Sequence, residues 1–572
     1  MLRTRIDETM DLIEEMKKIT LEDLAKKLKW DLAGVEKLCK ILEKRDIVEI
    51  RYPISIFEKP TVILKNPIKK SKSEEKSEGL VESYRIVSDF VPADVLIYKQ
   101  KGRQRPSYKI VPPVIGPYTG ILLDYIKEDI GKLVQVEVQE ITDKEKSIEV
   151  KRRFFEVGKK GLQETLQNLG EEELEVLAGT LLHVTYGLGN LELLMADDNL
   201  EEIAVNSSKV PIAVYHKKYG WLESNLRMKN EEEIANYSMQ IGRKAGRQIT
   251  LLNPILDAHL ISGDRVYSTL FPVSTTGNTI TIRRFSRNPW TTVNFIDKTM
   301  RTLSIEMAAL LWQAVHYELN IIIAGGTASG KTSMLNTLCS LIPLYQRIIT
   351  IEDTRELSLP NFVWNWVPLL TRNPNPEGLG EVSMLDLLIA SLRMRPDRII
   401  LGEIRRKSEA EVLFEAMHTG HAVYSTMHAD TSAQALKRLI EPPFEIPMIE
   451  LESLHLIVVQ YRDRRTNIRR TLEISEIVPG IGEEKLGMNH IYSWRARTDK
   501  FEKLKEPERL YDVLNLHTGM TQKEVNEDLK DRQTILEWML KNKIYNIDEV
   551  GEIMARYYNN PEEVIKESKK SK

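Results

Sequence analysis

The chain has 572 residues, long enough for three or four domains at roughly 150 residues each. Its 81 Lys and Arg against 84 Asp and Glu leave a net charge of −3, so there is no general attraction to nucleic acid or anionic lipid. Two cysteines, Cys39 and Cys339, exclude a disulfide framework and a paired-cysteine zinc site. No window reaches roughly 18 consecutive apolar residues, and the N-terminal stretch is amphipathic and acidic, so a cytoplasmic chain is expected.

Residues 1–66 begin with three helical patterns. Thr20 stands as an N-cap before Leu21, Leu24 and Leu28 on one face, and Asp31 before Leu32, Val35, Leu38 and Leu42. Two strand-like runs follow at 47–52 and 61–64, with Pro53 and Pro60 between them. Three helices and a β-ribbon predict a small winged-helix-like module. Lys37, Lys40, Lys44 and Arg45 would be its DNA contacts, but Glu36, Glu43 and Asp46 interrupt that face, which favours protein docking. Residues 67–79 are polar and charged and read as a flexible linker separating two independent folding units.

Residues 80–160 mix strand patterns at 84–87, 95–98 and 134–138 with a helix near 120–129, a mixed α+β subdomain without assignable chemistry. Residues 161–287 place strands at 203–205, 212–215, 266–270 and 279–285 between helices. From 288 to 487 short apolar strands (321–324, 347–352, 398–404 and 422–427) alternate with helices, the signature of a mostly parallel α/β sheet. Residues 488–572 read as a helical C-terminal extension with helices at 522–542 and 547–558 and a frayed, Lys-rich tail.

The strongest local signal is Gly325-Gly326-Thr327-Ala328-Ser329-Gly330-Lys331-Thr332, followed by Ser333, between a buried strand and a helix. Glycines let successive backbone N–H groups wrap a polyanion, and the helix N-terminus adds favourable partial charge. Lys331 is the expected contact to the β- and γ-phosphates of ATP, and the Thr332 hydroxyl a ligand of Mg²⁺. Two later strands end in Glu352-Asp353 and in Glu403. The carboxyl ends of parallel strands converge on the ligand crevice, so one of Glu352 and Glu403 would hold Mg²⁺ while the other orients or deprotonates water. Glu403 is the expected metal ligand beside Thr332.

Three of ten histidines, His418, His421 and His428, fall close together, but no fourth ligand at a recognisable spacing supports zinc. His428 ends an apolar strand and reads as a γ-phosphate or water sensor, the alternative being a packed strand-end histidine; His418 and His421 are weaker candidates. Arg265, Arg283 and Arg284 precede the phosphate loop. Arginine can neutralise a transferring phosphoryl group, including from a neighbouring subunit, and the alternative is an ordinary surface ion pair.

The ordered segments GGTASGKTS, ITIEDTREL, RMRPDRIILGEIR and GHAVYSTMHADTS resemble the type II/type IV secretion and pilus-assembly ATPases, closest to the archaeal branch that drives archaeal pili and archaella. In that family these are Walker A, the aspartate box, Walker B and the histidine box, and the likeness covers roughly residues 160–480. The resemblance implies a RecA-like P-loop ATPase domain with a parallel sheet, preceded by a mixed α+β N-terminal domain; with the winged-helix-like module read from the pattern of residues 1–66, an α/β multidomain chain is expected. It implies that Glu352 is the general base, Glu403 the Walker B acid, His428 the histidine-box residue, and Arg265, Arg283 and Arg284 the completing arginines. It further implies a Mg²⁺-dependent ATPase, a homohexameric ring at the inner face of the cell membrane, and a polytopic membrane platform protein as partner, with no stable nucleic acid. A DNA-handling ring ATPase using residues 1–66 is the rival reading. Gly402 stands where many P-loop enzymes carry aspartate, and the tetracysteine module of some bacterial members is absent.

Overall fold

The computed structural model describes residues 2–52, 59–67, 79–99, 105–134, 136, 140, 144–166, 169–285, 289–374, 378–479 and 486–570. Most of the expected linker, and Pro53, therefore lie outside the described residues. The chain divides into two compact units, Met1–Phe285 and Ser286–Lys572.

In the first unit α1 (Arg5–Met16), β1 (Lys18–Thr20), α2 (Leu21–Leu28), α3 (Leu32–Lys44), β2 (Val48–Arg51) and β3 (Thr61–Leu64) come first, with an antiparallel sheet ordered β1-β3-β2. Both expected caps form: Thr20 accepts from the Asp23 N–H at 3.1 Å and Asp31 from the Gly34 N–H at 2.9 Å. Strands β4 (Leu80–Ser88), β5 (Val91–Tyr98) and β6 (Ser107–Val111) precede α4 (Pro117–Leu133), α5 (Lys144–Thr165) and α6 (Glu171–Thr185). Then follow α7 (Leu191–Met195), β7 (Leu200–Val205), β8 (Ala213–His216), β9 (Gly220–Glu223), α8 (Glu231–Lys244), β10 (Ile255–His259), β11 (Arg265–Thr269) and β12 (Thr279–Arg283). The last six strands form one antiparallel sheet ordered β10-β11-β12-β7-β8-β9.

The expected independence of residues 1–66 is corrected here. Ile6, Met10, Leu24 and Leu38 share one core with Leu122, Ile126, Phe154 and Leu177 of α4–α6. Buried Asp7 accepts the Tyr118 N–H at 3.0 Å at the start of α4, where Gly116 leaves room that any Cβ would fill. The proposed boundary at 160/161 falls inside α5, so residues 80–160 are not a separate body. Of the expected strand at 134–138, residues 135, 137 and 138 lie outside the described residues.

The α3 basic residues are engaged within the unit. Lys37 donates to the Glu164 carbonyl at 3.3 Å, Lys44 lies over the Tyr125 ring at 4.9 Å, and Arg45 pairs with Glu128 at 2.8 Å. Only Lys40 pairs within its own helix, with Glu36 at 2.8 Å. Three of these four residues thus reach α4 or α5 while all four stay exposed.

The second unit runs α9 (Thr292–Ile296), α10 (Ile305–His316), β13 (Ile321–Gly325), α11 (Lys331–Cys339), β14 (Ile348–Glu352), β15 (Trp366–Leu370), α12 (Met384–Ser391), β16 (Arg398–Leu401), α13 (Lys407–His418), β17 (Ala422–Met427), α14 (Ser432–Ile440), α15 (Met448–Leu451) and β18 (Leu456–Arg462). It ends with β19 (Arg469–Val478), β20 (Gly487–Arg495), β21 (Lys500–Lys503), α16 (Arg509–Thr518), α17 (Gln522–Lys541), α18 (Ile547–Asn559) and α19 (Pro561–Lys570). One nine-stranded sheet is ordered β15-β14-β16-β17-β13-β18-β19-β20-β21. It is parallel from β15 to β18, as the alternation of strand and helix requires, and antiparallel beyond.

The boundary expected at 487/488 is also corrected. Strands β20 and β21 continue the ATPase sheet to Lys503, and Leu510, Leu514, Ile535, Leu536 and Met554 share a core with Trp312, Ile321 and Leu335. The tail expected to fray is helix α19, with Val564 buried and Lys569 paired to Asp531 at 2.8 Å. Residues 509–570 are therefore a wall of this unit.

Candidate active site

The phosphate loop connects β13, every residue of which is buried, to α11. Gly325 and Gly330 adopt φ of +157° and +98°, and a Cβ on Gly325 would overlap Ser329 Oγ and lie 2.6 Å from the Gln460 carbonyl oxygen. Those two positions accept glycine because the loop closes tightly on itself and on β18. Lys331 opens α11; its Nζ donates to the Gly326 carbonyl at 3.1 Å and stands 3.5 Å from His428 Nδ1. Burial lowers the Lys331 pKa, opposed by the nearby Glu403 carboxylate.

β13, β17, β16 and β14 end side by side and bring Lys331, His428, Glu403 and Glu352 to one edge of the sheet. His428 Nε2 is 3.0 Å from Glu403 Oε1, and Arg405 Nε donates to Glu403 Oε2 at 2.8 Å. Arg405 also pairs with Asp353. Lysine offers no acceptor, so His428 faces it with a bare Nδ1 and donates from Nε2 to Glu403; this is the neutral imidazole, in accord with a pKa lowered by burial and by Lys331.

Glu352 is 3% exposed. Its Oε1 accepts the backbone N–H of Glu356 at 2.9 Å and of Leu357 at 3.0 Å, while Oε2 is buried without a hydrogen-bond partner. Burial pushes the carboxyl up to about 7 despite those two amides. Gly402, which stands where many P-loop enzymes carry aspartate, lies beside Glu352. A Cβ there would lie 3.6 Å from Glu352 Cγ, so a second carboxylate would stand against the buried one.

Thr332, on the first turn of α11, and Glu403 are the expected holders of Mg²⁺, with Glu403 Oε1 beside His428 and Oε2 accepting from Arg405 in this structure. Both are hard oxygen donors beside a loop shaped for phosphate. Among the described residues no group of three or more His, Cys, Asp or Glu stands together. His421 and His428 flank the six-residue β17 at opposite ends, about 23 Å apart at 3.3 Å per residue. His421 Nδ1 lies 3.2 Å from the Ala416 carbonyl, and His418 ends α13.

Arg265 and Arg283 are cross-strand partners on β11 and β12 of the first unit, and Arg265 forks onto Asp257 at 2.9 and 2.7 Å. Arg284 differs from expectation. Its side chain is 2% exposed, donates to the Asp197 carbonyl at 2.7 Å and lies 3.7 Å from Asp264, so it is committed to the interior of the first unit.

Sequence reasoning missed Arg469, at the start of β19, whose Nε reaches the Ala328 carbonyl at 3.4 Å and whose Cδ would lie 3.6 Å from a Cβ on Gly330. Only the β18–β19 pairing brings it to the loop, and its one sequence signal was the basic run at 462–470.

Residues 260–504 match the model of the family described as type II/IV secretion system protein. An uncharacterized protein of Methanocaldococcus jannaschii is 36% identical over 382 residues, covering 65% of this chain and 68% of its own, and accords with the archaeal branch. Agrobacterium tumefaciens VirB11 is 33% identical over 267 residues, 42% of this chain and 76% of its own. A solved structure, the VirB11 ATPase of the Brucella suis type IV secretion system with sulphate, is 26% identical with a TM-score of 0.25, covering 50% of this chain and 91% of that one. By these sequence matches and by its phosphate loop with the acidic strand ends beside it, the chain belongs to the type II/IV secretion system protein family, as an ATPase of that family.

Proposed function

We propose that the chain hydrolyses ATP with Mg²⁺ and that the cycle drives a type IV pilus-like filament, an archaellum or a type II/IV secretion machine. The observation that carries this reading is the meeting of Lys331, His428, Glu403 and Glu352 at the carboxyl ends of four adjacent strands.

Loop residues 325–333 hold the phosphates through backbone N–H groups, and the Lys331 ammonium neutralises charge on the β- and γ-oxygens. Thr332 and Glu403 hold Mg²⁺, which when bound offsets phosphate charge. Glu352 takes the proton from the attacking water at Oε2, the oxygen without a partner. As that O–H bond breaks, the water oxygen bonds to the γ-phosphorus, the bond to the β,γ-bridging oxygen breaks, and ADP and phosphate leave. A carboxyl near pH 7 suits this role, since a base must be both ionised and proton-seeking at working pH. Glu403, held between His428 and Arg405, is less free to accept it. His428 senses occupancy, because phosphate competes for the Lys331 ammonium it faces. Arg265 and Arg283 neutralise the transferring phosphoryl group from whichever subunit of a homohexamer supplies them; Arg284 is left out of this role.

The ring works against a polytopic platform protein at the inner face of the cell membrane. Among the described residues no helix is long and apolar enough to cross a membrane, so the anchor in this reading is the platform. The test is steady-state ATP hydrolysis by the full chain with Mg²⁺ or EDTA, with and without duplex DNA, using Lys331→Ala as the blank, alongside the mass of the assembly in ATP. Metal-dependent turnover by a hexamer, indifferent to DNA, supports the reading. Turnover that survives Lys331→Ala, or that requires DNA, overturns it.

A further inference from the structure

Glu352 is held by a loop, and the C-terminal helices hold that loop. The two amides on Glu352 Oε1 belong to Glu356 and Leu357. One residue on, the Ser358 N–H donates to Asn336 Oδ1 of α11 at 2.7 Å. Leu357 and Leu359 are buried in the core that also contains Val550, Ile553 and Met554 of α18. At 361 the loop is clamped from α18. Asp548 accepts the Asn361 backbone N–H on Oδ1 at 2.7 Å and the Asn361 side-chain amide on Oδ2 at 2.8 Å. Gly551, one turn further along α18, permits the contact: a Cβ there would lie 2.5 Å from Pro360 Cγ and 2.9 Å from Phe362 Cζ.

A loop of this length with no regular structure would ordinarily sample many conformers, and each would carry the 356 and 357 amides to a different place. Tying both flanks, at Asn336 and at Asp548, removes that freedom.

We infer that Asp548 and Gly551 of α18 are positioning residues for Glu352: they fix loop 356–362 and so hold the two amides that aim the carboxylate. The C-terminal helices thereby belong to the hydrolytic machinery, acting through backbone rather than by touching nucleotide. This rests on Glu352 being the base.

The groups facing Glu352 are Glu356 and Arg355 of the same loop and Cys339 of α11. None lies on α18, so a change at Asp548 reaches Glu352 only through the loop. Weakening the amide bonds removes donors that favour the carboxylate, which moves its titration to higher pH.

The experiment compares Asp548→Ala, Asp548→Asn, Gly551→Ala and Glu352→Gln in the full chain. Turnover is read against pH, KM for ATP separately, ATP binding without turnover, and Tm as the check on folding. Asp548→Ala and Gly551→Ala should lower kcat about ten- to a hundred-fold with nucleotide affinity retained, and should move the acid limb of kcat to higher pH. Asp548→Asn, which keeps one carbonyl acceptor, should restore most of the rate. Added to Glu352→Gln, Asp548→Ala should cost nothing further. If Glu352→Gln abolishes turnover while folded Asp548→Ala and Gly551→Ala leave kcat and the acid limb unchanged, the positioning role is wrong and the base assignment stands. If Glu352→Gln turns over normally, the base assignment itself is wrong.

Discussion

His428 Nε2 donates to Glu403 Oε1 across 3.0 Å, joining the end of β17 to the end of β16. On its other side His428 presents Nδ1 to Lys331. The imidazole thus stands between Lys331 and Glu403 as one neutral ring.

Replacing that ring tests its role. His428→Ala leaves ATP binding near normal, since Lys331 keeps the loop, but should lower kcat about ten- to a hundred-fold, a size typical for loss of one positioned polar group. Isothermal titration with a non-hydrolysable ATP analogue, beside steady-state rates, checks both halves; weakened binding at normal kcat would show a role in affinity instead.

Lys331→Ala should abolish measurable turnover, at least about a hundredfold below the native rate, because it removes the ammonium that opens α11 inside the phosphate loop. Fold retention follows from the exchange being on the loop side of α11. Circular dichroism at native Tm, together with a residual rate at the blank, is the expected pair of results.

The pH dependence of Glu352 has a defined sign. Its carboxyl is pushed up to about 7 from an ordinary value of 4.5, so hydrolysis should rise with pH through an acid limb near 7 that Glu352→Gln removes along with most of the rate. For stability, a raised pKa means the folded state holds the proton more tightly than the unfolded chain. That contribution is full below the unfolded pKa and is lost as pH rises through about 7. Glu352→Gln should therefore raise Tm at pH 8 while changing little at pH 5; equal shifts at both would contradict the buried titration.

Arg532, fully buried on α17, donates to Asp528 at 2.8 Å and to His316 Nδ1 at 2.7 Å, and lies 4.8 Å over the Trp312 ring. Asp528→Ala would strand this cation in the interior and should cost about 3–5 kcal/mol, read as a fall in Tm. Deleting residues 509–570 should leave the remaining chain insoluble, because it bares the core around Trp312 and Leu335. A soluble, cooperatively unfolding truncation would refute the integration of these helices.

The arginines separate by burial. Arg284→Ala should lower Tm by removing the 2.7 Å hydrogen bond to the Asp197 carbonyl and the cation beside buried Asp264 in the interior of the first unit. Arg283→Ala should leave Tm within about 2 °C, as exposed substitutions do, while turnover falls. The reverse pattern would exchange their roles.

Local pattern made much of this legible. Strand β17 and the starts of α2 and α3 were read at their observed bounds because alternation, apolar runs and caps are written in neighbouring residues. The phosphate loop and the carboxylates at strand ends were legible for the same reason: a motif whose chemistry needs consecutive backbone amides must be contiguous. Missed were β15, whose Pro368 argues against a strand yet is tolerated at the sheet edge, the parallel β18, and the antiparallel β19–β21, whose pairing joins residues far apart.

By itself, then, the sequence determined the phosphate loop, the parallel sheet around it and the family, since each is carried by short-range spacing. Tertiary structure alone decided that residues 1–66 share a core with α4–α6, that Arg284 is interior, and that α18 reaches the loop holding Glu352. Those facts depend on which faces meet across hundreds of residues, and burial, the force that selects the faces, acts on area and shape and leaves no residue-by-residue code.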